Sequence, residues 1–281
     1  MTDWATYLAG FHARHPGISE DVLGRARSGD LTPYLWLARA VSGSRVLDLA
    51  CGSGPMAETL AELWRKASQE WTARPEDRLP DSERRPAPWV VGLDLSAAEL
   101  AESRKRGRRN PLVRGDAVAL PFADASFDAV VSSAGLMVVG RISEVLDEIA
   151  RVLRPGGVLA ATVASAVPLR PVDMRFLAPL TARLRSTPQF PGGGEMTGLT
   201  SAMEQAGFRV LEDARERFGY PVHTEADARL LTRALYLPGT SDKRRELAVT
   251  WLAERAAAQD DGLEIAVPVR RVVAMRTGYG G

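Results

Sequence analysis

The chain has 281 residues, of which 45% are hydrophobic and 25% charged, so it can bury one sizeable core. Its 36 Lys and Arg residues balance 35 Asp and Glu residues, and this near-neutral charge argues against nucleic acid or anionic lipid as a partner. A single cysteine excludes an internal disulfide framework and any cysteine-built metal site, and we expect no bound metal.

The amino-terminal segment carries an acid where a secretory signal is basic, and it lacks an apolar stretch. The longest weakly polar run, residues 158–167, is too short to span a bilayer. We therefore expect a soluble, cytoplasmic monomer or homodimer without a membrane element. Residues 1–40 are predicted to form a helical cap, because the apolar Trp4, Tyr7, Leu8 and Phe11 share one helix face.

From residue 44 to residue 163 the sequence repeats a short apolar run, a bend and an amphipathic segment. The predicted strands are residues 44–49, 89–93, 111–114, 127–132 and 157–163. The predicted helices are residues 55–66, 96–106 and 143–153. Residues 67–88 are rich in proline and charge, which is typical of a surface insertion with little structure of its own. Alternating strands and helices indicate a doubly wound parallel sheet.

After residue 163 the regular alternation of strands and helices ends, and helices are inserted between the last two predicted strands. The predicted elements are helices 169–185, 200–205, 225–235 and 242–258 and strands 208–218 and 263–275. The predicted fold is thus α/β, a Rossmann-like, mostly parallel seven-stranded sheet with an antiparallel last strand and helical cap and lid insertions. We divide the chain into a cap (1–40), a ligand-binding core (41–164) and lid insertions with the C-terminal strands (165–281).

The first strand ends in a glycine-rich bend, VLDLACGSG (residues 46–54), where open α/β sheets bind their ligands. Its glycine spacing also fits the loose dinucleotide-binding pattern, so the spacing alone is weak evidence for any one ligand. Asp48 places a carboxylate where a phosphate would sit, and Pro55 removes one backbone N–H from the helix start. Both features favour a ligand that carries its own cation, such as the ammonium and sulfonium groups of S-adenosylmethionine.

Two further acids follow the next two predicted strands. Asp94, after the second strand, can accept hydrogen bonds from ribose hydroxyls, although capping the next helix is an alternative role. Asp116, after the third strand, can accept from an adenine amino group, while the Ala117 N–H can donate to a ring nitrogen. Three successive strand ends therefore predict an adenosyl-binding edge.

The ordered segments DLACGSG, GLDLS, GDAVALPFADASFDAVVSS and RVLRPGGVLAATV together resemble the class I S-adenosylmethionine-dependent methyltransferases. The resemblance is to the small-molecule branch that includes ubiquinone/menaquinone C-methyltransferases, and it covers residues 44–164. It implies S-adenosyl-L-methionine as cofactor. The residues that it implies for the methionine end of the cofactor are Asp48, Ala50, Cys51, Gly52, Gly54 and the backbone near Ser133. It implies Asp94 and Leu95 for the ribose, and Asp116 and Ala117 for the adenine.

The resemblance also implies the reaction, methyl transfer by in-line displacement to an O, N or C atom of a small hydrophobic metabolite. We expect a role in secondary metabolism, such as antibiotic biosynthesis. His12, His15 and Tyr7 in the cap are candidate bases or pocket residues, although a surface or helix-end role explains each histidine better and core packing explains Tyr7 equally well. The alternatives are a non-catalytic partner protein with the same fold and a nicotinamide-dependent oxidoreductase.

Overall fold

A computed structural model describes residues 2–72, 88–193 and 196–278 of the chain. Seven strands form one sheet in the order β3-β2-β1-β4-β5-β7-β6. The strands are β1 (Arg45–Leu49), β2 (Trp89–Asp94), β3 (Leu112–Arg114), β4 (Phe127–Ser133), β5 (Leu153–Ala164), β6 (Phe208–Val222) and β7 (Leu263–Arg276). Strands β1 to β5 are parallel to one another, and β7 runs antiparallel between β5 and β6. The predicted fold class is confirmed.

Ten helices flank this sheet in the described part of the chain. They are α1 (Trp4–Arg14), α2 (Ile18–Leu23), α3 (Pro33–Ala38), α4 (Pro55–Thr72), α5 (Ala97–Lys105), α6 (Ile142–Val152), α7 (Met174–Leu184), α8 (Leu199–Gln205), α9 (Glu225–Ala234) and α10 (Asp242–Ala257). Side chains fix several of their starts: Thr32, Ser96 and Thr224 each accept a hydrogen bond from a backbone N–H three residues later. None of the helices described here is both long and apolar enough to cross a membrane.

The sheet buries its central strands because both faces are covered. Strands β1, β2 and β4 are almost wholly buried beyond their first residue. Helix α6 packs Leu146 and Ile149, both with 0% exposure, into the core on one side of the sheet. Tyr34 and Leu37 of α3 pack with Met56 and Leu60 of α4 in a separate core cluster.

Several predicted boundaries were wrong: α7 begins at Met174 rather than at residue 169, and β6 continues to Val222 rather than ending at residue 218. Helix α4 continues to Thr72, so the first residues of the predicted insertion at 67–88 are helical, and residues 73–87 lie outside the described part. Strand β5 begins at Leu153 rather than at residue 157, because Leu153 already pairs with Phe127 of β4. The RPGG segment between Leu153 and Val158 is an irregularity within this strand, with Gly156 at a φ of +75°.

The strand order reverses between β1 and β4, which lie side by side although β2 and β3 intervene in the chain. Chain segments leaving these two strands diverge at their carboxyl ends, and a crevice opens there in folds of this type. Helices α1 and α2 and the segment from α7 to α9 supply the remaining walls of this crevice.

Candidate functional site

A cavity of about 980 Å³ lies at the carboxyl edge of the sheet, which is within the usual range for a small-molecule site. Charged side chains line only one of its ends: His12, Glu20, Asp48, Asp94, Glu99, Asp116 and Arg141. The other end is lined by α7, α9, β7 and the loop after α7, and its described residues include no charged side chain. We call these the acidic end and the apolar end.

Asp48 is the most unusual residue of the acidic end. Its side chain is 1% exposed, and neither carboxylate oxygen has a hydrogen-bond partner within the described residues. Burial, followed by the nearby Asp94 carboxylate, raises the pKa of the Asp48 carboxyl well above its usual range. A buried carboxyl without partners is costly, so this residue is best explained by a cationic group that binds in the cavity.

Asp94 fixes the glycine-rich loop. Its carboxylate accepts a hydrogen bond from the Gly52 N–H at 2.8 Å and one from the Ser96 N–H at 2.8 Å. Burial raises the pKa of Asp94, while these two backbone donors oppose the shift. Each carboxylate oxygen has a further lone pair, so Asp94 can still accept from a ligand's hydroxyl groups.

The two loop glycines face different surroundings. Both have positive φ angles, +53° at Gly52 and +87° at Gly54. A Cβ on Gly52 would meet its nearest atom, Glu99 Oε2, at 3.7 Å, whereas a Cβ on Gly54 would lie 2.9 Å from Ser103 Oγ. Gly52 lines the cavity, but Gly54 lies outside its lining and against α5.

These environments predict unequal costs of substitution. Gly52→Ala should lower the free energy of unfolding by about 1 kcal/mol, the cost of a left-handed backbone for alanine. Gly54→Ala should cost about 3 kcal/mol, because it adds a steric clash to the same backbone strain. Thermal unfolding of both variants measures the difference. The reverse ranking would contradict the described loop geometry.

The remaining predicted cofactor residues surround the same end of the cavity. Ala50, Cys51, Leu95, Ala117 and Ser133 all line it. Leu95 is 64% exposed, unusual for a large apolar side chain, and it is available to cover a flat ligand. Burial raises the pKa of the Cys51 thiol well above its usual range, so this cysteine is a packing residue and not a nucleophile.

Asp116 also lines the acidic end, but its environment is more open than those of the other two acids. Its Oδ1 accepts from the Val118 N–H at 3.2 Å, and its side chain is 51% exposed. The Arg141 guanidinium lies 4.0 Å from its Oδ2. Asp116 therefore lies at the mouth of the cavity, whereas Asp48 lies at its base.

The three candidate bases occupy different positions in the cap. His12 lines the cavity, whereas His15 and Tyr7 lie outside its lining. The His15 ring packs against Phe11, and burial, followed by the charge of Arg233, lowers the pKa of His15. The Tyr7 hydroxyl accepts a hydrogen bond from the Leu237 N–H at 3.0 Å. The structure thus brings only His12 of these three to the cavity wall.

Ion pairs attach helix α2 of the cap to the end of α5. Arg106 contacts Asp21 at 2.8 Å and Glu20 at 3.0 Å, and Arg108 pairs with Glu20. Arg108 also donates to the Ser53 carbonyl at 2.6 Å. Arg106 and Arg108 therefore hold α2 of the cap against the end of α5 and the glycine loop.

Two site residues were not predicted from the sequence, Glu99 and Tyr236. Glu99 is 3% exposed, and its carboxylate accepts from the Gly17 N–H at 2.9 Å and contacts His12 Nδ1 at 2.8 Å. The Tyr236 hydroxyl lies 3.1 Å from His12 Nε2. Glu99 occupies the first turn of a helix, a common position for an exposed acid, so no sequence signal pointed to its burial.

A family model described as a methyltransferase domain matches residues 83–161 of the chain. Among curated proteins, demethylmenaquinone methyltransferase of Beutenbergia cavernae is 32% identical over 182 residues, which cover 59% of this chain and 66% of that protein. Two further relatives are matched over only 41% and 40% of their own lengths. The chain therefore spans between two fifths and two thirds of these relatives.

Solved structures share the fold. A putative methyltransferase from Bacillus halodurans C-125 superposes with a TM-score of 0.55 at 19% identity, covering 89% of this chain and all of that one. The phosphoethanolamine N-methyltransferase 2 of Haemonchus contortus, solved with phosphomonomethylethanolamine and S-adenosylhomocysteine, gives a TM-score of 0.53 at 17% identity. That match covers 99% of this chain and 61% of the other. At such identities the likeness concerns the fold alone.

Proposed function

Because this chain belongs to the class I S-adenosylmethionine-dependent methyltransferases, we propose that it binds that cofactor at the acidic end and methylates a small hydrophobic molecule at the apolar end. The observation that carries the proposal is the unpartnered, buried carboxyl of Asp48. A dinucleotide pyrophosphate would be repelled there, whereas the ammonium group of the cofactor's methionine part would supply the missing cation.

The other strand-end residues suit the rest of an adenosyl ligand. Asp94 retains free lone pairs for both ribose hydroxyls, while its bonds to the Gly52 and Ser96 N–H groups hold it in place. We assign the adenine amino group to Asp116 and a ring nitrogen to the Ala117 backbone N–H, an assignment that the presence of both residues in the cavity lining supports. The exposed Leu95 side chain is placed to cover the adenosyl group.

When bound, S-adenosylmethionine supplies a methyl group activated by a positively charged sulfur. The chain's own contribution is to align the acceptor and to exclude water, since an in-line displacement depends on approach geometry. Residues of the cap helices and of the segment after α7 line the cavity together with the strand ends, and we assign this exclusion to them.

The apolar end supports a neutral, hydrophobic acceptor. Its lining includes Leu177, Leu180 and Leu184 of α7, Leu231 of α9 and Ile265 of β7, which pack in one hydrophobic cluster. A charged acceptor would lose its hydration there without finding a counter-ion. The proposal includes a quinone-like ring, which the name of the Beutenbergia relative suggests, and a place in secondary-metabolite biosynthesis such as antibiotic tailoring, both supported by this neutral lining.

Calorimetry with S-adenosylmethionine, S-adenosylhomocysteine and NADH tests the proposed cofactor. We expect micromolar binding of the two adenosyl ligands, about −8 kcal/mol, and none of NADH. Tighter binding of NADH would favour an oxidoreductase and reject the proposal. Binding of both adenosyl ligands without turnover on any of a panel of quinols, phenols and amines would favour the non-catalytic alternative.

A further inference from the structure

Three side chains from distant parts of the sequence form a continuous hydrogen-bonded chain at the cavity wall. Glu99 Oε1 lies 2.8 Å from His12 Nδ1, and His12 Nε2 lies 3.1 Å from the Tyr236 hydroxyl. All three residues line the cavity. They join the first turn of α5, the cap helix α1 and the segment after α9, so only the tertiary fold brings them together.

The direction of the hydrogen bonds follows from the Glu99 carboxylate. An ionised carboxylate can only accept, so the His12 ring carries a proton on Nδ1. In the neutral ring Nε2 is then an acceptor, and the Tyr236 hydroxyl donates to it. A histidine held this way can accept a proton at Nε2, and the adjacent carboxylate stabilises the resulting positive charge.

Tyr236 lies between the two ends of the cavity. Its ring contacts Phe190, a residue of the apolar end, with ring centroids 5.8 Å apart, while its hydroxyl faces His12 and hydrogen-bonds to the Ser19 side chain. Burial raises the pKa of Tyr236 well above its usual range. Tyr236 thus connects a residue of the apolar end with a residue of the acidic end.

Resting on the proposed function, we infer that Glu99, His12 and Tyr236 form a proton relay, and that the methyl acceptor carries an acidic hydroxyl, such as that of a phenol or hydroquinone. The acceptor's hydroxyl proton passes to the Tyr236 oxygen, and the Tyr236 proton passes to His12 Nε2. The acceptor oxygen forms a bond to the methyl carbon, and the electron pair of the broken carbon–sulfur bond stays on sulfur. Glu99 holds the imidazolium until the proton leaves to solvent.

A hydroxyl fits this site better than an ammonium does. Among the described residues that α7, α9 and β7 contribute to the cavity, there is no carboxylate to hold a cation, and the walls are mostly aliphatic. A neutral phenol can enter such a pocket, donate one hydrogen bond to Tyr236 and ionise only as its proton leaves. The relay thus selects the class of acceptor as well as assisting the reaction.

The first test needs no substrate. The chain has only three histidines, so nitrogen NMR of the rings can be assigned with His12→Gln and His223→Gln. We expect the neutral His12 ring to carry its proton on Nδ1, the less common tautomer. Finding the proton on Nε2 would overturn the inference, because that nitrogen could then not accept from Tyr236.

The second test uses 4-nitrophenol, whose ionised form absorbs visible light, in the presence of sinefungin, an unreactive analogue of S-adenosylmethionine. We expect bound phenolate in the unmodified protein and an about tenfold lower ratio of phenolate to phenol, about 1.4 kcal/mol, in Tyr236→Phe, His12→Gln and Glu99→Gln. Tyr220→Phe and His223→Gln are matched controls, since neither residue lines the cavity. Tyr236→Phe preserves the ring packing if the other two variants fold poorly.

The outcomes separate the two proposals. If S-adenosylhomocysteine binds but 4-nitrophenol fails to bind, binds only as the neutral phenol, or ionises equally in Tyr236→Phe, the relay is rejected while the cofactor assignment stands. If S-adenosylhomocysteine does not bind to the unmodified protein, the proposed function itself fails. Binding of both ligands with loss of phenolate in the relay variants alone supports the inference.

Discussion

Replacing Asp48 with asparagine is expected to weaken S-adenosylhomocysteine binding about 100-fold, which corresponds to about 2.7 kcal/mol. The reason is that Asp48 is 1% exposed and has no partner for its oxygens among the described residues, so a bound ammonium group would be its main counter-charge. Calorimetry measures the loss. Asp30→Asn, at an exposed carboxyl outside the cavity lining, is the control and should bind like the unmodified protein.

The same substitution should act in the opposite direction on stability. Because the pKa of the Asp48 carboxyl is raised in the folded chain, the folded state holds this proton more tightly than the unfolded state does. The favourable contribution of Asp48 to the free energy of unfolding is therefore full below about pH 4, near the ordinary pKa of an aspartate. It is lost as the pH rises through the raised pKa of the folded state. An asparagine at this position cannot ionise, so the Asp48→Asn variant does not lose this stability as the pH rises. Without ligand, the variant should therefore unfold at a higher temperature than the unmodified protein near neutral pH.

Thermal unfolding between acidic and neutral pH measures this effect. We expect the free energy of unfolding of Asp48→Asn to exceed that of the unmodified protein by an amount that grows with pH to about 1 kcal/mol or more. At the lowest pH of the range the difference should vanish. An asparagine variant that is less stable at every pH, and that still binds the cofactor normally, would show that Asp48 serves packing alone.

Replacing Asp94 with alanine should lower both stability and cofactor affinity, a larger combined effect than that of Asp48→Asn. Asp94→Ala removes the acceptor for the Gly52 and Ser96 N–H groups, so we expect about 2 kcal/mol lower stability. It also removes the proposed acceptor for the ribose hydroxyls, and the affinity for S-adenosylhomocysteine should fall by about 100-fold. Calorimetry and thermal unfolding measure the two effects, with the exposed Asp260→Ala as the control.

A fragment of the cofactor separates the two carboxylates. The compound 5′-methylthioadenosine keeps the ribose and adenine but has no amino-acid part. Asp94→Ala should weaken its binding as strongly as that of S-adenosylhomocysteine, whereas Asp48→Asn should leave it nearly unchanged. Equal losses in both variants would mean that the two residues act only through the shape of the glycine loop.

The sheet could be predicted because its signals are local. Apolar runs such as residues 89–93, ended by an acid and a capping serine, predict strand and helix without knowledge of their neighbours. The errors arose where local chemistry favoured the wrong result. The RPGG segment before residue 158 is typical of a turn, and it does interrupt the strand pairing, yet Leu153 before it pairs with Phe127, so β5 begins earlier than the turn signal indicated.

The cofactor end could also be predicted in outline, since parallel strands bring successive strand ends to one edge of a sheet. Asp48, Asp94 and Asp116 each follow a strand, so their common location was expected, and the cavity lining contains all three. The sequence did not predict how differently they are placed. Asp48 is buried without a partner, Asp94 supports the loop, and Asp116 is half-exposed.

The relay residues could not be found in the same way. His12 was one of three cap candidates that the sequence could not rank, and Tyr236 follows an amphipathic helix like any packing aromatic residue. Glu99 lies in the first turn of a helix, a common position for an exposed acid, so nothing in the sequence indicated its burial. Their hydrogen bonds join residues 87 and 224 positions apart, and such contacts depend on how the cap docks on the core.

The sequence by itself determined the alternation of strands and helices, the glycine-rich bend and the acids at the strand ends, because these depend on period, capping and backbone freedom within a few residues. Only the tertiary structure decided which acid is buried, which histidine reaches the cavity and which end of the cavity is free of charge. The physical reason is that the burial and the hydrogen bonds of a side chain depend on the residues around it. In this protein those residues come from segments far apart in the chain.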